Sequence, residues 1–133
     1  MKYYKRLKIW KSSNVTFNPE TCEAHSYKWW LFVAKVKNKV VFNNYRYSVS
    51  TEKHQSKVEW LLAQLGVKID FYAEFPRGID RPQSAIDLYK NRIESLQELI
   101  DTPRSHEKKN LERKSEQESL KIKIKEIQKL FKL

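Results

Sequence analysis

The sequence has little of what secreted, membrane-spanning or zinc-binding proteins need. Its single cysteine, Cys22, excludes an internal disulfide and, without cysteine neighbours, a thiolate zinc site. The longest apolar stretch, Trp29 to Ala34, is far too short for a bilayer, which takes about 20 apolar residues. The first residues are charged rather than apolar. We therefore expect a soluble, cytoplasmic protein with no membrane contact.

Catalytic and metal-binding motifs are also missing. The sequence contains no HExxH, CxxC, Walker loop, GxGxxG or GxSxG pattern, and His25 and His106 lack the spacing of metal ligands. Asp70 and Glu74 share one face of a predicted strand but lie roughly 13 Å apart at strand rise, too far to bind one metal ion together. The sequence predicts no catalytic residue, metal or cofactor, shows no small-molecule substrate, and favours a non-enzymatic protein.

Glycine and alanine are scarce, whereas lysine, asparagine and isoleucine are abundant. Only two glycines and five alanines stand among the 133 residues. This bias indicates a coding sequence rich in A and T, which is compatible with a phage or mobile element and equally with a low-GC bacterium. Codon bias is therefore one source of the many lysines.

Positive charge is abundant and unevenly spread. The formal net charge is +11, and residues 1–50 carry ten Lys or Arg against two acids. Residues 51–82 carry five of each sign, and residues 83–133 carry twelve cations against nine acids. Clustered cations attract phosphate backbones because binding releases condensed counterions. We favour contact with a nucleic acid or nucleoprotein over codon bias alone and over an acidic protein partner.

The opening segment, Lys2 to Trp10, is interpreted as one strand. Tyr4, Arg6, Lys8 and Trp10 would then share a face, because strand side chains alternate. Two aromatic rings interleaved with two cations are typical of a surface that stacks bases and neutralises phosphates. The alternative is an amphipathic edge strand whose cations only discourage edge pairing.

Aromatic and β-branched residues next predict a hairpin. Two such segments, 27–36 and 40–49, are separated by a short polar turn. A two-residue turn would place Trp30 opposite Tyr47, whereas a three-residue loop would place it opposite Arg46. Aromatic residues make up 13% of the chain, too many for a disordered protein.

A helix and a further strand follow the hairpin. A hydroxyl cap at Ser50 and a closing Gly66 bound the predicted helix, with His54 on its buried stripe as a packed histidine rather than a base. Residues 67–75 alternate between apolar and polar, as in a half-buried strand. Together these segments predict a three- or four-stranded antiparallel sheet with one packed helix.

The start of this helix is also a candidate phosphate site. A helix N-terminus presents unpaired N–H groups, and Arg46 and Lys57 lie near it in the sequence. A capped helix with ordinary solvated lysines is the simpler interpretation.

The pattern changes to that of two helices from about Pro82. The first helix ends before Pro103, and Ser105 can cap the second. We expect an antiparallel, coiled-coil-like helical hairpin whose apolar seam forms a core and supports self-association. The predicted partner or oligomer interface consists of Ile86, Tyr89, Ile93, Leu96, Leu120, Ile124, Ile127 and Phe131.

These patterns predict an α+β protein, with a basic sheet-and-helix domain at 1–80 and a helical-hairpin extension at 81–133. The expected function is that of a non-enzymatic nucleic-acid-binding accessory protein with a basic aromatic sheet surface. One alternative is a protein-interaction module, such as an inhibitor or virion component, that binds through the hairpin. Another is a small nuclease using His54 with Tyr45 or Tyr47. The predicted nucleic-acid-binding residues are Tyr4, Lys5, Arg6, Lys8, Trp10, Lys28, Arg46, Lys53 and Lys57.

Overall fold

The computed structural model of the chain describes residues 1–103 and 106–133. The α+β class predicted from the sequence is confirmed, and the described residues divide into two compact units, Met1–Pro82 and Gln83–Leu133. The elements are, in chain order, β1 (Lys2–Tyr4), β2 (Ile9–Ser12), β3 (Val15–Asn18), β4 (Glu23–Ser26), β5 (Trp30–Val36), β6 (Lys39–Asn43), α1 (Val49–Gln64), β7 (Phe71–Ala73), α2 (Gln83–Ile100) and α3 (Glu107–Phe131).

The strands form one sheet in the order of the chain, from β1 to β7. Each strand up to β6 is antiparallel to its neighbour, whereas β7 is parallel to β6. Short turns join the antiparallel strands, but α1 carries the chain from β6 back to β7 in the same direction. The predicted strand number was therefore too low, and the predicted antiparallel sheet contains one parallel pair, β6 with β7. Strands of three or four residues are too short to leave a clear period in the sequence.

The opening segment is a hairpin rather than the predicted single strand. A four-residue turn separates β1 from β2, and Tyr3 lies opposite Trp10 while Tyr4 lies opposite Ile9. Residues directly opposite each other share a face, so Tyr4 and Trp10 lie on opposite faces. The predicted common face was wrong because the turn contains neither glycine nor proline and has no sequence signature. Lys8, with a φ of 56°, takes the left-handed conformation instead.

The hairpin of β5 and β6 forms as predicted but in another register. Its turn is at residues 37–38, which both have positive φ (49° and 65°), as a two-residue hairpin turn requires. Val36 consequently lies opposite Lys39. Both predicted partners of Trp30 were wrong, because β6 ends at Asn43, before either of them.

A row of opposed residues crosses the whole sheet and supplies much of the core of the first unit. The middle of the row is buried under the apolar face of α1, which contributes Val58, Leu61 and Leu62 to the same cluster. The two tyrosines at its ends are exposed. In strand order the row consists of Tyr3, Trp10, Phe17, Ala24, Val33, Phe42 and Tyr72.

The helix α1 begins at a capping box. The Thr51 N–H donates to the Ser48 side-chain oxygen (3.1 Å), and the Ser48 N–H donates to Thr51 Oγ1 (2.8 Å). The predicted cap at Ser50 was wrong by two residues, because Ser48 has a hydroxyl residue three positions later and Ser50 does not. Gly66, with a φ of 73°, follows the helix as predicted.

The second unit is the predicted helical hairpin. The helices α2 and α3 pack against each other, and the buried Gln117 amide donates to the backbone oxygen of Ile93 (3.1 Å) and to Gln97 Oε1 (3.2 Å). The predicted cap Ser105 lies outside the described residues. No described helix is long and apolar enough to span a membrane.

The residues of the predicted partner interface are shielded from solvent in a single copy of the chain. Their burial needs no second copy, so self-association stays a prediction. Ile86, Tyr89, Ile124 and Ile127 are buried, and Ile93, Leu96, Leu120 and Phe131 are half-buried.

Candidate functional site

The first unit contains a cleft of about 610 Å³ that is lined by aromatic rings and arginines. Its walls come from the turn before β5, the segment between β6 and α1, and the loop after β7. Sites for small molecules measure roughly 300–1,000 Å³, so a nucleotide-sized group fits. The lining residues are Trp29, Tyr45, Tyr47, Pro76, Arg77, Asp80 and Arg81.

Asn43 joins two walls of the cleft. Its fully buried side chain accepts hydrogen bonds from the N–H groups of Phe75 (2.9 Å) and Tyr45 (3.1 Å) and donates to the Phe75 oxygen (2.8 Å). Because β7 ends at Ala73, this amide extends the link between the two chain segments beyond the last strand pair. Gln55 on α1 donates from Nε2 to the Asn43 and Tyr45 oxygens (2.6 and 3.1 Å). Two buried amides thus fix the base of the cleft.

Two exposed aromatic rings stand on this rigid base. Trp29 and Tyr47 make an edge-to-face contact, with ring centroids 5.9 Å apart. Tyr47 also contacts the buried Trp30 (5.8 Å), whose Nε1–H donates to the Pro76 oxygen (3.2 Å). About half of the surface of Trp29 (52%) and of Tyr47 (53%) nevertheless remains exposed. Rings held in place but left open are suited to stacking on a flat ligand.

The loop after β7 brings two arginines to the cleft. Gly78 takes a φ of 97°, and a Cβ there would lie 3.2 Å from the Leu31 backbone nitrogen, so the loop needs glycine to pass this close to β5. The Ile79 N–H donates to the Leu31 oxygen (2.9 Å) and holds the loop in place. Arg77 and Arg81 each interact with another residue of the chain. A guanidinium has five N–H donors, so a group held on one edge still presents donors on another.

Further cations stand beside the cleft. Lys28 precedes its tryptophan, and Arg46 lies between its two tyrosines. The Arg46 guanidinium is 3.6 Å from the Glu52 carboxylate, and both side chains are more than half exposed. Such surface pairs contribute about 0–1 kcal/mol, so a phosphate can replace Glu52 at little cost. With the two loop arginines, four cations stand here against Glu52 and Asp80.

The nine predicted nucleic-acid-binding residues lie on several elements of the first unit. Some of them line a second, mainly apolar cavity of about 570 Å³ between β2 and α1, which Trp60 also lines. The role of each residue stays a prediction. Tyr4, Lys5, Arg6 and Lys8 lie in the hairpin of β1 and β2, Trp10 and Lys57 line the second cavity, Lys53 is exposed on α1, and Lys28 and Arg46 lie beside the cleft.

His54 is a packed histidine, as predicted. Its Nδ1 lies 2.6 Å from Ser26 Oγ, and both residues are buried. Burial, and then the nearby Lys57 ammonium, lower the pKa of His54, so its ring is neutral at pH 7. Ser26 is fully buried and His54 is only 8% exposed, so little of the pair is open to a substrate. These features favour a structural role for His54.

The acids of the predicted nuclease alternative are also dispersed. Asp70 Oδ2 accepts a hydrogen bond from the Val40 N–H (2.8 Å) and thereby supports the edge of the sheet. Across the described ranges, no group of three or more His, Cys, Asp or Glu is arranged to hold a metal ion.

Sequence reasoning found only part of the cleft. It placed Arg46 near the start of the helix, named Tyr45 and Tyr47 in the nuclease alternative, and included Lys28 among the nucleic-acid-binding residues. It did not connect these residues with residues 76–81, because the link through Asn43 spans 32 positions. The available signals in the sequence were Trp29, near the start of the predicted hairpin, and the Pro-Arg-Gly turn after a predicted strand.

Comparison of the chain with protein-family models, curated proteins and solved structures found no match.

Proposed function

We propose that this protein is a non-enzymatic accessory protein that binds single-stranded nucleic acid in the cleft between Trp29, Tyr47 and the two arginines of the loop after β7. The observation that carries this proposal is the exposed, edge-to-face pair of Trp29 and Tyr47 beside Arg77 and Arg81. Stacking on aromatic rings contributes about 1–3 kcal/mol per base and tolerates any sequence, because every base has a flat face.

The geometry of the cleft favours single strands over duplexes. A base must leave its helical stack before it can enter a cleft and lie on a ring. In a duplex both faces of each base are already covered by neighbours, and only the edges are open in the grooves. The cleft has no projecting helix with which to read a groove, so unpaired bases are its natural ligand.

The charge distribution supports the same ligand. The ten cations of residues 1–50 stand against only two acids, which draws any polyanion to the first unit. Four cations at the cleft then supply phosphate contacts. Each phosphate contacted in a single strand contributes about −0.7 to the slope of log affinity against log salt. Four contacts therefore give a slope of about −3.

The two alternatives have weaker support. A docking role for the helical hairpin needs the predicted seam, but its members are buried or half-buried within one copy of the chain. A nuclease role needs an accessible His54, but this residue is only 8% exposed and is hydrogen-bonded to buried Ser26.

The test is the binding of a fluorescent oligothymidylate measured by anisotropy across about 50–200 mM salt. Trp29→Ala should weaken binding by roughly 5- to 150-fold, because one stacking contact of about 1–3 kcal/mol is lost. Trp60→Ala is the matched control, since Trp60 is also exposed (65%) but lies at the second cavity. It should leave binding nearly unchanged.

Other outcomes of this binding assay would move the interface or reject the proposal. Loss of binding in Trp60→Ala but not in Trp29→Ala would move the interface to the side of β1 and β2. No binding at low salt, or tight binding that salt does not change, would reject the proposed function. Circular dichroism of both variants checks that the fold is kept.

A further inference from the structure

The cleft proposed to bind phosphates is also lined by a carboxylate, that of Asp80. Of the described residues that line the cleft, it alone is acidic. It is exposed, and within the described part of the chain no hydrogen bond or ion pair engages its carboxylate. It stands between Arg77 and Arg81 in the sequence. A carboxylate here repels phosphates and therefore calls for another kind of partner.

The Asp80 carboxylate lies close to Gly78. A Cβ at Gly78 would lie only 2.7 Å from Asp80 Oδ1, so any other residue at this position would push the carboxylate away. The absence of a side chain at Gly78 thus leaves room for Asp80 in the loop. The loop itself is fixed by the hydrogen bond from the Ile79 N–H to β5.

An ionised carboxylate only accepts hydrogen bonds, and its two oxygens suit a pair of adjacent donors. Guanine presents two adjacent donors, N1–H and N2–H, on its Watson–Crick edge. Adenine and cytosine place an amino group beside an acceptor nitrogen, and thymine and uracil place one N–H between two carbonyls. Unpaired bases are commonly read on this edge while they stack on aromatic rings.

We infer that the cleft prefers guanine, stacked on the exposed ring of Trp29 with Asp80 accepting hydrogen bonds from its N1–H and N2–H groups. This inference rests on the proposed function and adds a base preference to it. The arginines that flank Asp80 are then in place for the phosphates of the same strand. Asp80 acts here as a specificity-determining residue, not as a catalytic one.

The test uses thymidine nonamers whose central base is guanine, hypoxanthine, adenine or thymine, measured by anisotropy at one low salt concentration. Hypoxanthine lacks the N2 amino group and otherwise matches guanine. The guanine oligonucleotide should bind on the order of tenfold more tightly than the hypoxanthine one, since a bidentate contact discriminates bases by this order. Equal binding of all four oligonucleotides would overturn the inference while leaving the proposed function intact. Binding of none of them would reject the proposed function itself.

Two variants separate base recognition from simple charge repulsion. Asp80→Asn keeps the size of the side chain but turns one acceptor into a donor, and it should bring the ratio of guanine to hypoxanthine affinity close to one. Glu52→Gln removes an equal charge beside the cleft and should keep the ratio. If Asp80→Asn instead strengthens binding to all four oligonucleotides by the same factor, Asp80 only repels phosphate and the inference is wrong. Both side chains are exposed, so each variant should stay folded and lose no more than about 1 kcal/mol of stability.

Discussion

Replacing Asn43 with alanine tests whether this residue holds the cleft together. The change removes the acceptor of the Phe75 N–H and one of the donors to the Phe75 oxygen. The oxygen keeps its bond from the Gly78 N–H (2.9 Å), but the N–H loses an acceptor in a residue with no exposed surface. Each buried polar group that loses its partner costs about 1–3 kcal/mol. The Tyr45 N–H also loses its bond, but Tyr45 is only half-buried, so water can replace Asn43 there. The expected loss in the free energy of unfolding is therefore about 1–3 kcal/mol.

The assay is urea denaturation followed by tryptophan fluorescence. All four tryptophans lie in the first unit, so the signal reports on the part of the chain that contains Asn43. With an m-value of roughly 2 kcal/mol per molar urea, the midpoint should fall by about 0.5–1.5 M. Asn44→Ala is the matched control: this neighbour is exposed, and a change there should stay within about 0.5 kcal/mol. Equal midpoints for the two variants would show that the Asn43 amide does not stabilise the unit.

Three further changes probe other parts of the structure. Gly78→Ala should destabilise the protein more than Gly66→Ala in the same urea assay, because a Cβ at Gly78 would meet a side-chain oxygen at 2.7 Å whereas one at Gly66 meets nothing within 4 Å; the reverse order would contradict the loop geometry. Since the pKa of His54 is lowered below 6.5 in the folded chain, protonation favours unfolding, and the melting temperature should fall as the pH drops below about 6.5. His54→Gln should flatten this dependence on pH, and His106→Gln, at an exposed position, is the control. An unchanged curve in His54→Gln would show that another group is responsible. Ile127→Ala should cost about 2–5 kcal/mol and the exposed Ile122→Ala less than about 0.5 kcal/mol; similar thermal melts of the two would contradict the packing of the hairpin.

The parts of the fold that follow from local signals were predictable. The hairpin of β5 and β6, the helix ended by Gly66 and the two C-terminal helices each have a period or turn signal in the sequence. The hairpin of β1 and β2 has none, because its turn consists of Lys5, Arg6, Leu7 and Lys8. The parallel pairing of β7 with β6 follows from the path of α1 over the sheet, which no local pattern describes.

The candidate site was harder to predict because it is assembled from distant segments. Arg46 and the cleft tyrosines could be grouped from the sequence, since they are neighbours in the chain. Their proximity to Arg77 depends on the buried Asn43, whose hydrogen bonds span 32 positions. The prediction that Tyr4 and Trp10 share a face was wrong for a simpler reason. The turn between them was not predicted, and it places Trp10 on the opposite face of the sheet from Tyr4.

The most direct test of the account is to map where a single strand contacts the protein. An oligonucleotide carrying 5-bromouracil can be cross-linked by ultraviolet light and the attached peptides identified by mass spectrometry. If the strand binds in the cleft, cross-links should form at Trp29, Tyr45 and Tyr47 and in the peptide that contains residues 76–81. Cross-links confined to the hairpin of β1 and β2 and to α1 would contradict it.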